Sequence, residues 1–318
     1  MIRALIAFIL IAWQGFAFAQ AYPSKPITLI VPFAPGGPSD AHMRQFSAAM
    51  QRQLHQPLVI ENVGGGSGNI GPARAAKSPA DGYTLLQVNI SFATAPALFK
   101  TLEYNPLTDF DAIGTLVFDP SLMMARKDMP GATFKETIDY IRANQSKLTI
   151  GASGPSLLSA LLFMEKTGTK LTVINYKGGG PAMNDLVGGH IDLLSNSASI
   201  VGPLIRSGKV KPLGVGGLKR VRNLPDVPTL DEQGLTGYEV MVWTSLVAPR
   251  GLPRPVLDRL ASGLWASLQD PELIAHFERT GGVIATREEA SPAGFSALIK
   301  SEVEKWGGIL RRANVQPE

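Results

Sequence analysis

The segment from Val59 to Gly71, VIENVGGGSGNIG, has the pattern of a β-strand, a glycine-rich turn and the start of a helix. Gly66, Gly68 and Gly71 have the G-x-G-x-x-G spacing of dinucleotide-binding loops. That function also needs an acidic residue about 20 positions further on, where the following strand ends, to bind the ribose hydroxyls. The following strand here is YTLLQVN, residues 83–89, and no carboxylate stands at its end. The missing carboxylate therefore argues against a nucleotide. Converging backbone N–H groups of the glycine segment would still suit another anion, including a carboxylate.

Three more loops of this kind occur along the chain. They are APGGPSD at residues 34–40, GASGPSLLS at 151–159 and YKGGGPAMND at 176–185. Each follows a predicted strand and precedes a predicted helix. One such loop alone would indicate only a tight turn with a helix cap. Four of them favour a shared anion-binding cleft.

Strands and helices alternate in two separate runs, which predicts α/β units with parallel sheets. Two long extended segments, residues 109–129 and 239–249, can carry the chain between the units. We therefore expect an α/β clamshell of two lobes, with the ligand cleft between them at the carboxyl ends of the strands. Lobe 1 is predicted to contain residues 20–119 and 243–318, and lobe 2 residues 120–242.

The first residues, 1–19, have the anatomy of a secretory signal peptide. Arg3 precedes an apolar run from Ala4 to Trp13, and Ala17-Phe18-Ala19 forms an A-x-A cleavage site. The run is shorter than the roughly 20 residues of a membrane-spanning helix, and a buried N-terminal helix is the alternative. The pattern predicts export to the periplasm with cleavage of the signal.

Composition and motifs exclude several classes of function. The net charge of +4 arises from 30 Lys and Arg against 26 Asp and Glu, without the clustered basic surface of a nucleic-acid-binding protein. The chain has no cysteine, so disulfides are excluded. Its histidines lack metal-ligand spacing, and no G-x-S-x-G nucleophile motif occurs. The four histidines are His42, His55, His190 and His276. We expect neither an enzyme, nor a metal site, nor a cofactor.

Read together, the longer motifs of the chain resemble the Bug family, the periplasmic receptors of tripartite tricarboxylate transporters. The resemblance runs from Tyr22 to Val315 and rests on six segments: YPSKPITLIVPFAPGGPSD, QPLVIENVGGGSGNIG, KSPADGYTLL, LEYNPLTDF, YKGGGPAMNDLVGGHIDLL and LPDVPTLDEQGLTGYEV. It implies a Venus-flytrap fold like that of type 2 periplasmic binding proteins. It further implies a small organic carboxylate in the cleft, lobe closure around it, and membrane permease subunits as partners. We expect a monomer.

The resemblance also implies the residues that hold the carboxylate, through backbone amides, hydroxyls and bridging waters rather than through an arginine. Matched by motif, the ligand-binding residues are Ala34, Gly37, Ser39, Asp40, Ser67, Gly68, Asn69, Asn89, Ser91, Ser153, Ser156, Tyr176, Gly178, Gly179, Asn196 and Ser197.

The sequence departs from the family pattern at three places that border the predicted cleft. Leu157 and Leu158 stand where a polar residue or histidine is common, and Asn196 stands where aspartate is frequent. The segment LLQVNISFATAP also lacks the usual glycine turn. We expect one end of the pocket to be apolar, which suits an aromatic ligand or a monocarboxylate. A ligand-binding sensor that feeds a two-component signalling system is the alternative to a transport receptor.

Overall fold

The computed structural model describes residues 22–36, 38–152, 155–176 and 179–317. The predicted signal peptide, residues 1–19, lies outside them. In chain order the elements are β1 (Ile27–Val31), α1 (Pro38–Leu54), β2 (Leu58–Asn62), a 3₁₀ turn (Gly66–Gly68), α2 (Ile70–Ala76), β3 (Thr84–Asn89), α3 (Ile90–Leu98), β4 (Phe110–Arg126), α4 (Phe134–Asn144), β5 (Thr149–Ala152), α5 (Pro155–Thr167), β6 (Thr172–Asn175), α6 (Gly179–Gly188), β7 (Leu193–Ser197), α7 (Ala198–Arg206), β8 (Val210–Val215), β9 (Met241–Pro249), α8 (Arg254–Ser267), α9 (Pro271–Thr280), β10 (Val283–Ile284) and α10 (Pro292–Arg312).

The strands form one curled sheet in the order β2-β1-β3-β9-β4-β7-β5-β6, with β8 and β10 also paired to β4. In the first part of the chain, β1 is parallel to β2 and β3. In the second part, β5 is parallel to β6 and β7. Parallel strands joined by helices place their carboxyl ends at one edge of each group. The loops that follow these strands therefore gather at those edges.

Strand β4 connects the two groups of strands. Phe110 to Pro120 pair with the antiparallel strand β9, whereas the residues from Ser121 onward pair with β7 and β8. The change of partner falls directly after Pro120, which has no N–H to donate to a neighbouring strand. The long extended segments predicted from sequence are thus β4 and β9, side by side.

The two faces of β1 pack into different parts of the core, as the alternation of strand side chains requires. Leu29 packs with Phe46 of α1 and Leu264 of α8. Ile30 belongs to the largest cluster, which continues through α3, α5 and α10. A third cluster lies under α6 and α7. Within the described ranges, no helix combines the length and apolar composition needed to cross a membrane.

A buried carboxylate ties helix α10 to strand β9. Glu302 is 8% exposed. Its Oε2 atom accepts hydrogen bonds from two indole N–H groups, that of Trp306 at 2.8 Å and that of Trp243 at 3.2 Å. Lys305 Nζ lies 3.6 Å from the other oxygen, Oε1. Because both indoles are buried, this one carboxylate satisfies two donors that water does not reach.

A second buried polar contact joins α1 to α9. The rings of His42 and His276 pack edge to face with centroids 5.3 Å apart, and Phe277 packs against both. Burial, together with the neighbouring His276, lowers the pKa of His42 to about 4. Burial likewise lowers the pKa of His276, with Arg279 contributing. Both imidazoles are therefore neutral in the folded protein at pH 7.

We expect the folded protein to lose stability in mild acid because of His42. Its pKa is depressed in the fold from 6.5 to about 4, so protons bind the unfolded chain first as the pH falls below 6.5. Between pH 7.5 and 5.0 the free energy of unfolding should fall by about 2 kcal/mol from this group. Urea unfolding of His42→Phe, which keeps a ring against Phe277, should show a correspondingly shallower decline. An unchanged pH dependence in the variant would contradict this assignment.

Candidate functional site

The glycine segment after β2 adopts a conformation that explains its composition. Gly65, Gly66, Ser67 and Gly68 have φ values of 117°, 54°, 54° and 93°. Four successive residues with positive φ strongly favour glycine, because a Cβ atom clashes with the backbone there. Gly68 N donates to Gly65 O at 2.9 Å, which closes the turn and presents Ser67 at its tip.

The third glycine of the motif has a different role. A Cβ atom on Gly71 would lie 2.9 Å from Pro32 Cβ and 3.2 Å from Val63 O. Helix α2 therefore starts in close contact with the segment that follows β1, and no side chain fits between them. All three glycines of the fingerprint are explained by backbone conformation and packing, without reference to a nucleotide.

Two cavities adjoin this turn. The first is small, about 10 Å³, and brings together Ser67, Gly68, Asn69, Asn89 and Ser91, all predicted from the sequence. Asn89 caps α3 by accepting from Ser91 N at 2.9 Å. The hydroxyl of Tyr104, a residue that the sequence did not single out, donates to Asn69 Oδ1 at 2.7 Å. These contacts hold the polar side chains in fixed orientations.

The second cavity is about 550 Å³ and shares Ser67 and Ser91 with the first. Its size falls within the range of small-molecule sites. The first group of strands contributes the glycine turn and α3. The second contributes the ends of β5 and β6 and the start of α5. The lining residues are Ser67, Ser91, Thr94, Leu98, Phe99, Ala152, Pro155, Leu157, Leu158, Leu161, Val173, Asn175, Tyr176, Ala313, Asn314, Val315 and Gln316.

A larger cavity of about 730 Å³ lies elsewhere, between α8, α10 and β4. Its charged side chains include two ion pairs, Arg250 with Asp111 at 3.0 Å and Arg254 with Asp258 at 2.8 Å. It contains none of the residues predicted to bind ligand. We take the 550 Å³ cavity as the candidate site, because it lies where strands of both groups end.

Tyr176 reaches the candidate site from the loop after β6. Its hydroxyl donates to Asp185 Oδ2 of α6 at 2.6 Å. This hydrogen bond to the carboxylate, together with partial burial, raises the pKa of Tyr176 to about 12. The phenol is therefore neutral at every physiological pH, and its ring is anchored to α6 at the wall of the cavity.

Asp40 lies in the first turn of α1 and is not in the lining of either cavity. Its oxygens accept from Arg44 Nε at 2.9 Å, Gly36 N at 2.9 Å and Asn62 Nδ2 at 3.1 Å. The bond from Arg44, followed by that from Gly36, lowers the pKa of Asp40 to about 2. The carboxylate thus fastens the loop after β1 to the end of β2. Neither Ala34 nor Ser39 is in the lining of the two cavities.

Four described residues that were predicted in the second strand group are not in the cavity lining: Ser156, Gly179, Asn196 and Ser197. A Cβ atom on Gly179 would approach Asn196 Nδ2 to 2.9 Å, so α6 starts directly against this side chain. Asn196 Oδ1 accepts from Ser197 N at 2.8 Å. Ser156 is half-buried in the first turn of α5. Gly37, Ser153 and Gly178 lie outside the described residues. Ligand contact by the predicted set as a whole stays a prediction.

Several lining residues were not predicted from the sequence. Thr94, Leu98 and Phe99 belong to α3 or follow it, and Ala313 to Gln316 follow α10. The chain end is held at the cavity by hydrogen bonds from Val315 N to Leu310 O at 3.1 Å and from Asn314 N to Arg311 O at 3.1 Å. Arg312 Nη2 also lies 3.2 Å from Glu165 of α5. No local sequence pattern around residues 313–316 indicates that this segment lines the cavity.

Two groups of parallel strands connected by β4 and β9, with a cavity at the strand ends, define the class of α/β solute-binding proteins with a cleft. Residues 42–315 match the family described as the tripartite tricarboxylate transporter family receptor, TctC. The chain belongs to this family, whose members are periplasmic solute-binding receptors and not enzymes. The predicted resemblance to the Bug receptors is thereby confirmed.

Solved structures agree with this assignment. The periplasmic binding protein BugD is 38% identical, with a TM-score of 0.81 over 93% of this chain and 100% of that one. MatC from Rhodopseudomonas palustris, solved with bound malate, is 32% identical, with a TM-score of 0.80 over 91% and 100%. Rpa4515 of R. palustris, solved with adipate, is 30% identical, with a TM-score of 0.82 over 93% and 100%. The predicted two-domain periplasmic binding protein fold is confirmed.

Proposed function

We propose that this chain captures a small organic carboxylate in the 550 Å³ cavity and delivers it to the membrane subunits of a tripartite tricarboxylate transporter. One observation carries the proposal: the glycine turn of the first strand group faces the strand ends of the second across that cavity. The two similar proteins with malate and adipate support a carboxylate as the ligand. The oxygens would be held by neutral donors, the hydroxyls of Ser67 and Ser91 and nearby backbone N–H groups.

Capture requires the two lobes to move relative to each other. We propose that residues 20–119 and 243–318 move against residues 120–242. Strands β4 and β9 are the two connections, and the change of pairing partners after Pro120 supports a bend at that position. We further propose that the protein acts as a monomer in the periplasm after cleavage following Ala19. N-terminal sequencing of the protein from a periplasmic extract tests the cleavage.

Thermal unfolding of ligand-stripped protein against a panel of carboxylates tests the binding function. The panel contains tricarboxylates, dicarboxylates, amino acids, nicotinate and aromatic and aliphatic monocarboxylates. A ligand at 100 times its dissociation constant adds about 2.7 kcal/mol to the free energy of unfolding. With an entropy of unfolding of about 2.1 cal/mol/K per residue, that raises the midpoint of a chain of about 300 residues by about 4 °C. A flat response across the panel would contradict carboxylate binding.

Uptake of the radiolabelled ligand tests delivery. A strain without this chain should lose uptake, and a plasmid copy should restore it. Binding in vitro with unchanged uptake would reject the transport role and favour a sensor.

We expect the chain end to contribute to ligand affinity. Removing residues 313–318 takes away Val315 and its neighbours from the cavity wall, which should weaken binding about tenfold through lost apolar contact. Removing only residues 317–318 leaves the lining intact and serves as the control. Calorimetric titration of both truncated proteins with the most stabilising ligand of the panel measures the difference. Equal affinities would show that the chain end makes no contact with the ligand.

A further inference from the structure

The lining of the candidate cavity changes from polar to apolar along helix α3. Ser91, Thr94 and Leu98 are spaced three and four residues apart, so they lie on one face of the helix, and all three line the cavity. From Ser91 to Leu98 the helix advances by about 10 Å. The cavity is thus polar beside the first turn of α3, where it shares Ser67 and Ser91 with the small cavity, and apolar beside the last turn.

The apolar end is built by both strand groups and by the chain end. Leu157, Leu158 and Leu161 of α5 line the cavity together with Phe99 and Val315, and all five belong to the same hydrophobic cluster as Leu98. Leu158 is 3% exposed and Leu161 is 9% exposed, so these side chains form an inner wall and not a rim. The amides in the lining, Asn175, Asn314 and Gln316, belong to exposed residues.

Within the part of the chain that the structure describes, charged side chains are missing from the whole cavity lining. None of the described lining residues is Lys, Arg, His, Asp or Glu. A second carboxylate placed among Leu157, Leu158 and Leu161 would lose its hydration and find neither a cation in the described lining nor a hydrogen-bond donor on these side chains, which is costly. A methyl group or an aromatic edge at the same place would gain from leaving water.

We propose that the ligand is a monocarboxylate with an apolar body, oriented with its carboxylate at Ser67 and Ser91 and its body against Leu157 and Leu158. The inference rests on the proposed function and names the ligand class of that site. The length from the first to the last turn of α3 suits an acyl chain of about six to eight carbons or an aromatic ring of similar extent. In this respect the chain differs from MatC and Rpa4515, which were solved with the dicarboxylates malate and adipate.

Calorimetric titration of the stripped protein with butanoate, hexanoate, octanoate, benzoate and adipate tests the inference. Each methylene added from butanoate to hexanoate should strengthen binding about fourfold, the effect of burying one CH₂ group. Adipate has the carbon count of hexanoate and carries a second carboxylate in place of the methyl end. It should bind at least about tenfold more weakly than hexanoate. Benzoate tighter than octanoate would assign an aromatic body, and the reverse an aliphatic one.

Two outcomes separate this inference from the proposed function. If adipate binds as tightly as hexanoate or more tightly, the inference is wrong, although a carboxylate receptor remains. If none of these acids and no di- or tricarboxylate of the panel binds, the carboxylate-receptor function fails as well.

The variant Leu157→Lys is expected to shift the selectivity of the cavity from a monocarboxylate toward a dicarboxylate. Leu157 is half-buried, so a lysine there can place its ammonium in the cavity while its stem covers the apolar wall. The ratio of hexanoate to adipate affinity should shift at least about tenfold toward adipate, because the second carboxylate gains a partner. Leu218→Lys makes the same change on a leucine that is 59% exposed and outside the cavity lining. An equal ratio in Leu157→Lys, Leu218→Lys and wild type would overturn the inference.

Discussion

Replacing Glu302 with leucine is expected to lower the free energy of unfolding by about 2–6 kcal/mol. The carboxylate accepts from the indoles of Trp243 and Trp306, and both rings are fully buried. Leucine would leave two buried N–H groups without an acceptor, each at a cost of about 1–3 kcal/mol. Urea unfolding followed by tryptophan fluorescence reports the loss directly.

Glu302→Gln is the matched control. Glutamine has nearly the same shape and keeps a carbonyl oxygen that can accept from both indoles, but it removes the charge near Lys305. It should lose less than half as much stability as the leucine variant. Equal losses in the two variants would show that charge, and not hydrogen bonding, holds α10 against β9.

The variant Gly68→Ala is expected to weaken ligand binding at least about tenfold while the protein stays folded. Gly68 has a φ of 93°, and an alanine there pulls the turn out of its positive-φ conformation at a cost of about 1–2 kcal/mol. Ser67, which lines the cavity, would then leave its position. Affinity for the most stabilising carboxylate measures the effect.

Gly208→Ala separates the loss of binding from the loss of stability. Gly208 has a φ of 63° after the C-terminus of α7, and a Cβ atom there meets no other atom within 4 Å. It should lower stability to a similar degree as Gly68→Ala and leave the affinity unchanged. Loss of affinity in both variants would mean that the glycine turn has no special part in binding.

The sequence predicted those features whose causes are local. The extended segments predicted at residues 109–129 and 239–249 contain strands β4, Phe110–Arg126, and β9, Met241–Pro249. The glycine turn was predicted because positive φ values restrict composition. Leu157 and Leu158 were expected at the cleft from their positions in a motif, and both line the cavity.

Features decided by tertiary packing were missed. Helix α3, ISFATAPAL, has apolar residues on all sides and contains Pro96, so its sequence lacks the alternation of apolar and polar residues that indicates a helix. The chain end lines the cavity because α10 packs against α3 and α5, which no local pattern encodes. Asp40 has a residue type suited to a binding site, and its oxygens accept from Gly36, Arg44 and Asn62, so its contact with a ligand stays a prediction.

A crystal structure with 6-bromohexanoate would show which end of the cavity holds the carboxylate, because anomalous scattering locates the bromine independently of the carboxylate. We expect one bound molecule in the 550 Å³ cavity, with its carboxylate within hydrogen-bond distance of Ser67 or Ser91. The bromine should lie within about 4.5 Å of Leu157 or Leu158. Bromine in the 730 Å³ cavity between α8 and α10, or next to Ser67, would contradict it.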